Sequence, residues 1–160
     1  IGLGTIGRRV ADIAKAFGAQ IIYYSASGRS AQEGYEQVDL DTLLAKSDII
    51  SIHAPLNEHT EGLMDKAAFA KMKKTAIFLN LGRGPIVIEQ DLYEALENDE
   101  IAAAGLDVLC QEPMSETNPL RKIKDSKKLL ITPHVAWASV EARTKLMGII
   151  LGQIKEYFQI

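Results

Sequence analysis

The sequence holds one cysteine, Cys110, and no apolar run that approaches the ~20 residues of a membrane-spanning helix. Neither sign of charge dominates. A single cysteine excludes a disulfide framework and a zinc site built from cysteines, and makes a reduced, cytoplasmic setting the default. The formal net charge is −3, with 18 Lys and Arg scattered among 21 Asp and Glu. Such a balance gives no electrostatic case for nucleic acid as a partner. The apolar runs are too short for a membrane partner. There is also no internal repeat and no low-complexity segment. What remains is ordinary for a globular chain of one domain: 160 residues, 47% hydrophobic and 24% charged, enough to bury a core.

The most informative segment stands at the start, Gly2-Leu3-Gly4-Thr5-Ile6-Gly7. In a dinucleotide-binding βαβ unit the first glycine makes the tight turn off a strand. The second lets backbone approach a pyrophosphate, and the third lets helix pack on strand. The pyrophosphate then rests on the N–H groups and positive dipole end of the following helix. That helix is supported by Ile6, Val10, Ile13, Ala14 and Phe17 at helical spacing and by Gly18 as a stop. Only Ile1 precedes the turn, so the feeding strand is expected to be missing and the chain to be a fragment of a longer protein.

Short apolar runs then alternate with helical patterns. Strands are expected at Ile21–Tyr24, Ile49–Ile52, Ala76–Leu79, Ala102–Leu106 and Leu129–Thr132. Their near-continuous apolar character suits strands covered on both faces. Helices are expected at Leu40–Lys46, Lys66–Met72, Glu89–Glu97 and Ser139–Phe158, with Asp39 and Asp65 as N-caps. This alternation predicts an α/β fold, a doubly wound parallel sheet of the Rossmann type, over residues 1–160. The longest irregular stretch, Leu109–Lys128, contains Pro113, Asn118 and Pro119, and a loop of that length is usually functional or a boundary. The cations Arg121, Lys122, Lys124, Lys127 and Lys128 within it read as a solvated face.

Ligands of open α/β sheets bind beyond the carboxyl ends of the strands. Past the expected strands come Ser25, His53-Ala54-Pro55-Leu56, Asn80-Leu81-Gly82-Arg83-Gly84, Asp107 with Glu112-Pro113, and Pro133-His134. Arg83, Glu112 and His134 therefore converge on one edge. The trio suits hydride exchange with a 2-hydroxy acid. A histidine takes or gives the hydroxyl proton near neutral pH, a carboxylate beside it orients the ring, and a guanidinium grips a substrate carboxylate bidentately. His53 reads as a strand-end residue or a liner of the cofactor channel, His59 as exposed, and Cys110 as a half-buried small residue.

The segments Gly2–Gly7, His53–Leu56, Asn80–Gly84, Ala104-Gly105-Leu106-Asp107-Val108, Glu112-Pro113 and Thr132-Pro133-His134 resemble the D-isomer-specific 2-hydroxyacid dehydrogenases, in that family's order and across essentially the whole chain. The segment Ile131–Ser139 is most similar to the D-glycerate dehydrogenases, also called hydroxypyruvate reductases. The resemblance implies Arg83 as substrate anchor, Glu112 as partner of the histidine, and His134 as general acid/base. It implies contacts to NAD(H) or NADP(H) from Gly2, Gly4, Thr5, Ile6, Gly7, His53, Ala54, Pro55, Thr60, Leu81, Gly82, Arg83, Asp107 and His134, with Asp107 at the nicotinamide end; Ser25 and Arg29 are candidate contacts read from the residues themselves. It further implies a substrate domain outside this chain and a homodimer formed through the cofactor domain; separately, no metal site is expected. A departure falls at Ser25, where an acid would hold the ribose of NAD. Glu33 is the nearest downstream acid. Two readings stand: Arg29 attracts a 2′-phosphate, or Ser25 itself bonds an ordinary NAD ribose. A different class with the same scaffold is a dinucleotide-sensing transcriptional co-repressor similar to the C-terminal binding proteins. Formate dehydrogenase, which carries Gln in place of Glu112, is disfavoured.

Overall fold

A computed structural model describes residues 1–28 and 34–159. The elements run α1 (Thr5–Ala16), β1 (Ile22–Tyr23), β2 (Glu36–Gln37), α2 (Leu40–Lys46), β3 (Ile49–Ile52), α3 (Lys66–Ala70), β4 (Ile77–Asn80), α4 (Glu89–Glu97), β5 (Ala103–Leu106), β6 (Leu129–Ile131) and α5 (Val140–Phe158). Single 3-10 turns sit at Gly84–Ile86 and Pro119–Lys122. All strand pairs are parallel. β3, β4, β5 and β6 lie side by side in that order, with Ile50 opposite Phe78 and Phe78 opposite Ala104. β1 pairs with β2.

Ile1 and Gly2 join the two sheets. The Ile1 amino group donates to the Ser51 carbonyl, and His53 N–H donates back to the Ile1 carbonyl, each at 2.8 Å. On the other side, Gly2 N–H donates to the Tyr24 carbonyl at 2.9 Å. From this point the chain runs outward through β1 and β2, then crosses to β3 and continues through β6. The glycine turn therefore lies at the reversal of strand order, where open α/β sheets bind their ligands.

The strands alternate as the period of two requires. Ile50, Ile52, Phe78, Ala104 and Leu106 are buried on one face. There α2, α3 and α4 cover them, with Phe69 of α3 set edge-on to Phe78 at 5.5 Å. Asp39 and Asp65 cap α2 and α3 by accepting the N–H groups of Thr42 and Ala68. Gly18 closes α1 at a φ of +89°.

The second face departs from the expectation of strands covered on both sides. Ile49, Ile77 and Leu130 are 61%, 39% and 66% exposed. α1 is helical as its spacing predicts, yet it buries only Gly7 and Ala11, and Ile6, Val10, Ile13 and Phe17 all face outward. α5 buries no residue at all. Small residues let α1 approach closely, while its large apolar stripe points away from the sheet. β2 was not foreseen, because Glu36 and Gln37 are both exposed and carry no apolar signal.

Candidate active site

The three glycines of the opening turn have separate tasks. Gly2 holds a φ of +85°, and a Cβ there would lie 2.8 Å from the Ala54 nitrogen. At Gly7 a Cβ would lie 2.2 Å from the Gly2 carbonyl oxygen, so the helix can approach the strand only without a side chain. Gly4 is different: a Cβ there would meet no atom within 4 Å. It is also the N-cap of α1 and offers no side-chain cap to the first turn. The N–H groups around Thr5 and Ile6 thus face open space at the positive end of a 12-residue helix, a fit for a pyrophosphate.

The neighbouring loop is tied together by its own hydrogen bonds. Thr60 is buried; its hydroxyl donates to the Pro55 carbonyl at 2.7 Å and accepts the Asn57 N–H at 2.9 Å. Thr60 therefore shapes the loop that presents His53, Ala54 and Pro55. The His53 ring meets the Ser51 hydroxyl at 2.9 Å, and burial lowers its pKa. Ser25 stands beyond β1 with its hydroxyl 3.2 Å from that of Ser27. Arg29 and Glu33 lie outside the described residues.

Beyond β4, buried Asn80 organises the Gly-Arg-Gly turn. Its side-chain oxygen accepts the Gly82 N–H at 3.0 Å, and its amide donates to the Arg83 carbonyl at 2.9 Å. A Cβ on Gly82 would press on the Ala54 carbonyl at 3.1 Å, so this turn abuts the His53–Pro55 loop. Leu81 is exposed. The Arg83 guanidinium is also exposed, steadied by one bond to the Gly82 carbonyl at 2.8 Å.

Glu112 and His134 meet directly, Oε2 to Nδ1, at 2.8 Å. The other carboxylate oxygen of Glu112 accepts the Leu109 N–H at 2.8 Å. That backbone bond, followed by the bond to His134, lowers the Glu112 pKa. A carboxylate on Nδ1 fixes the tautomer and leaves Nε2 as the nitrogen available to exchange a proton. His134 itself sits at a φ of +54°, an uncommon backbone conformation for a residue with a side chain. Asp107 holds it there. The buried Asp107 carboxylate accepts the Thr132 hydroxyl at 2.6 Å and the N–H groups of Val135 and Ala136 at 2.9 and 2.8 Å, bracketing His134 on both sides. The Trp137 indole N–H donates to the His134 carbonyl at 2.8 Å. Three of the carboxylate's roughly four acceptor sites are thus used within the turn.

These features define a dinucleotide-binding domain with an Arg, Glu and His set at the strand ends. Residues 1–136 match the NAD binding domain of the D-isomer specific 2-hydroxyacid dehydrogenases. The chain is 43% identical over 161 residues to a hydroxypyruvate reductase of Blautia hydrogenotrophica, covering 99% of this chain and 49% of that protein. It is 44% identical over 149 residues to a glyoxylate reductase of Aeropyrum pernix, covering 91% of this chain and 44% of that one. A solved acyclic imino acid reductase in complex with NADPH and D-Arg matches with a TM-score of 0.88 at 38% identity, over 99% of this chain and 49% of its own. The chain belongs to the D-isomer-specific 2-hydroxyacid dehydrogenase family, and the part it spans is the NAD-binding domain. It covers about half the length of the relatives it matches.

Sequence reasoning passed over Asn80 as a builder of the Arg83 turn, Trp137 as a partner of the His134 backbone, and Glu89 as a partner of the Leu109–Lys128 segment. Asn80 left one readable sign, an amide at the end of an otherwise apolar strand. Glu89 looked like any acid in a first helical turn.

Proposed function

We propose that the intact protein interconverts 2-keto acids and D-2-hydroxy acids with a nicotinamide cofactor, and that hydroxypyruvate and D-glycerate are its leading pair. The Glu112–His134 contact at the strand ends carries this reading. The substrate preference draws on the Ile131–Ser139 segment and on the similarity to a hydroxypyruvate reductase. Similarity to a glyoxylate reductase makes glyoxylate the nearest competitor.

The bound cofactor supplies or accepts the hydride. Arg83 grips the substrate carboxylate and polarises the adjacent carbonyl. His134 Nε2 gives the proton that the new hydroxyl requires, or removes it in the reverse direction. Glu112 stays ionised and orients the ring through Nδ1. Gly4 and the first turn of α1 receive the pyrophosphate. Ser25 brings a hydroxyl without charge to the ribose end, so both NAD(H) and NADP(H) are admitted. The substrate domain lies in chain outside these residues. The outward stripes of α1 and α5 support a homodimer formed through this domain.

The test is turnover of the intact protein on a panel of 2-keto acids with NADH and NADPH. His134→Ala is expected to lower kcat by about 10²–10⁴-fold, the usual worth of general acid/base catalysis. Arg83→Ala is expected chiefly to raise KM for the keto acid. Wild-type kinetics in both variants would overturn the assignment. Tight cofactor binding with no turnover on any keto acid would point instead to the co-repressor class.

A further inference from the structure

Glu89 opens α4, yet the helix takes no side-chain cap from the preceding residue, and the Glu89 carboxylate does not turn back on its own helix. It reaches the long irregular segment instead. One oxygen accepts the Cys110 N–H at 2.8 Å, and the other accepts the Asn118 side-chain amide at 2.8 Å. We infer that Glu89 is a positioning residue for the Glu112–His134 pair: a single carboxylate pins both ends of the Cys110–Asn118 segment that carries Glu112. This inference rests on the roles proposed above for Glu112 and His134.

Three further contacts make the clamp specific to that segment. Glu112 bonds the Leu109 N–H, one residue before the first pinned N–H, so movement of Cys110 moves the group that aims Glu112. The start of the segment is pressed against Gly84, where a Cβ would lie 2.0 Å from the Leu109 carbonyl oxygen. The Arg83 turn and the Glu112 segment therefore share one seat. At the far end, the side-chain oxygen of buried Asn118 caps the Leu120 N–H at 2.9 Å, and Leu120 is anchored in the core. Asn118 cannot rotate its amide to suit a new partner without losing that cap. The carboxylate itself is favoured by the positive end of α4. Glu89 touches no reacting atom, so its influence passes through the segment alone.

The bond directions give the test. Glu89→Gln keeps the acceptor for Cys110 but turns an NH₂ toward the Asn118 NH₂. Adding Asn118→Asp reverses that bond: the new amide at position 89 then donates to residue 118, whose second oxygen still caps Leu120. In the intact protein, Glu89→Gln is expected to lower kcat/KM for hydroxypyruvate by about 10- to 100-fold, as a misplacement near 1 Å does, with cofactor affinity unchanged. The double variant is expected to recover most of the loss. A second readout does not depend on turnover. The Glu112 carboxylate, which faces His134 and more remotely Asp107, titrates below its ordinary value because it accepts the Leu109 N–H and bonds His134. In protein carrying ¹³C-labelled glutamate, its midpoint is expected to rise in Glu89→Gln and to return in the double variant. An unchanged Glu112 midpoint in a folded Glu89→Gln protein would overturn the inference, whatever happens to stability. So would a rise that the double variant fails to reverse. Loss of all keto-acid activity in the wild type would instead count against the proposed function, while the Glu112 titration would still decide the role of Glu89.

Discussion

Asp107→Asn is the substitution for which the structure gives the most definite magnitude. The wild-type carboxylate receives three hydrogen bonds, from the Thr132 hydroxyl and from the N–H groups of Val135 and Ala136. An Asn can keep its oxygen on Thr132 and Val135, but its NH₂ then faces the Ala136 N–H. One charge-assisted bond is lost, worth about 1.5–3 kcal/mol, and the two survivors lose their charge assistance. Val135 and Ala136 are exposed, so water replaces part of the lost acceptor, and a destabilisation of about 2 kcal/mol is expected. Urea denaturation should show a lower midpoint with an unchanged slope. The effect should depend on pH. Burial raises the Asp107 pKa, but the bonds from Thr132, Ala136 and Val135 outweigh it, and the net position is below the ordinary 3.8. A folded-state pKa below the unfolded one means stability that is fully present above the unfolded value and lost as pH falls through the folded one. The gap between wild type and Asp107→Asn should therefore close in acid. Freed from its bracket, His134 should relax from its positive φ, and kcat should fall by about 10- to 100-fold. A variant within about 0.5 kcal/mol of wild type, with unchanged kcat, would refute the claim that this carboxylate holds the histidine in place.

Two glycines of the opening turn should separate folding from binding. Gly7→Ala drives a methyl into the Gly2 carbonyl and should destabilise the protein by about 1–3 kcal/mol. Gly4→Ala meets no protein atom, so stability should change by less than about 1 kcal/mol, while NADH affinity measured by calorimetry falls tenfold or more. Normal NADH binding by Gly4→Ala would place the pyrophosphate elsewhere. Ser25→Asp should move the ratio of NADPH to NADH dissociation constants toward NADH by about tenfold, or about 1.4 kcal/mol, by adding a ribose acceptor that repels a 2′-phosphate. An unchanged ratio would remove Ser25 from the cofactor site.

Much of the fold was legible because its signals are local. Ile49–Ile52 and Leu40–Lys46 fall where apolar periodicity places them, and Asp39 and Asp65 cap as their position before a helix suggests. The Gly2–Gly7 spacing was readable because Gly2 and Gly7 answer steric needs that no other residue meets, while Gly4 leaves open space before the helix. What escaped depends on partners distant in sequence. The stripe of α1 has the periodicity of a core face, yet only Gly7 and Ala11 are buried, because periodicity names a face without saying what covers it. Glu89 finds its partners 21 and 29 residues on, and Asp107 finds its own 25 to 29 residues on. No spacing rule links such pairs. Helix and strand are set by neighbours, whereas the aim of a side chain is set by whatever the fold brings beside it.

The electrostatics of the strand ends narrow the chemistry further. Leu109 N–H and His134 hold Glu112 ionised, and three donors do the same for Asp107, so neither acid exchanges a proton near neutral pH. Burial pushes the Cys110 thiol up to about 11, with Glu89 adding to the effect, which leaves it protonated and unreactive. Burial also keeps His53 neutral, its ring tied to Ser51. Arg83 contributes a guanidinium with donors only. Among the described residues at this edge, the imidazole of His134 is the group to which the proposed function assigns the proton. The same contacts that silence its neighbours also orient it: Glu112 on Nδ1, Asp107 through the flanking N–H groups, and Trp137 on its carbonyl. A site with one mobile proton and one fixed cation suits a reaction in which hydride and proton arrive separately on a keto acid. It does not suit chemistry that needs two titrating groups or an activated nucleophile.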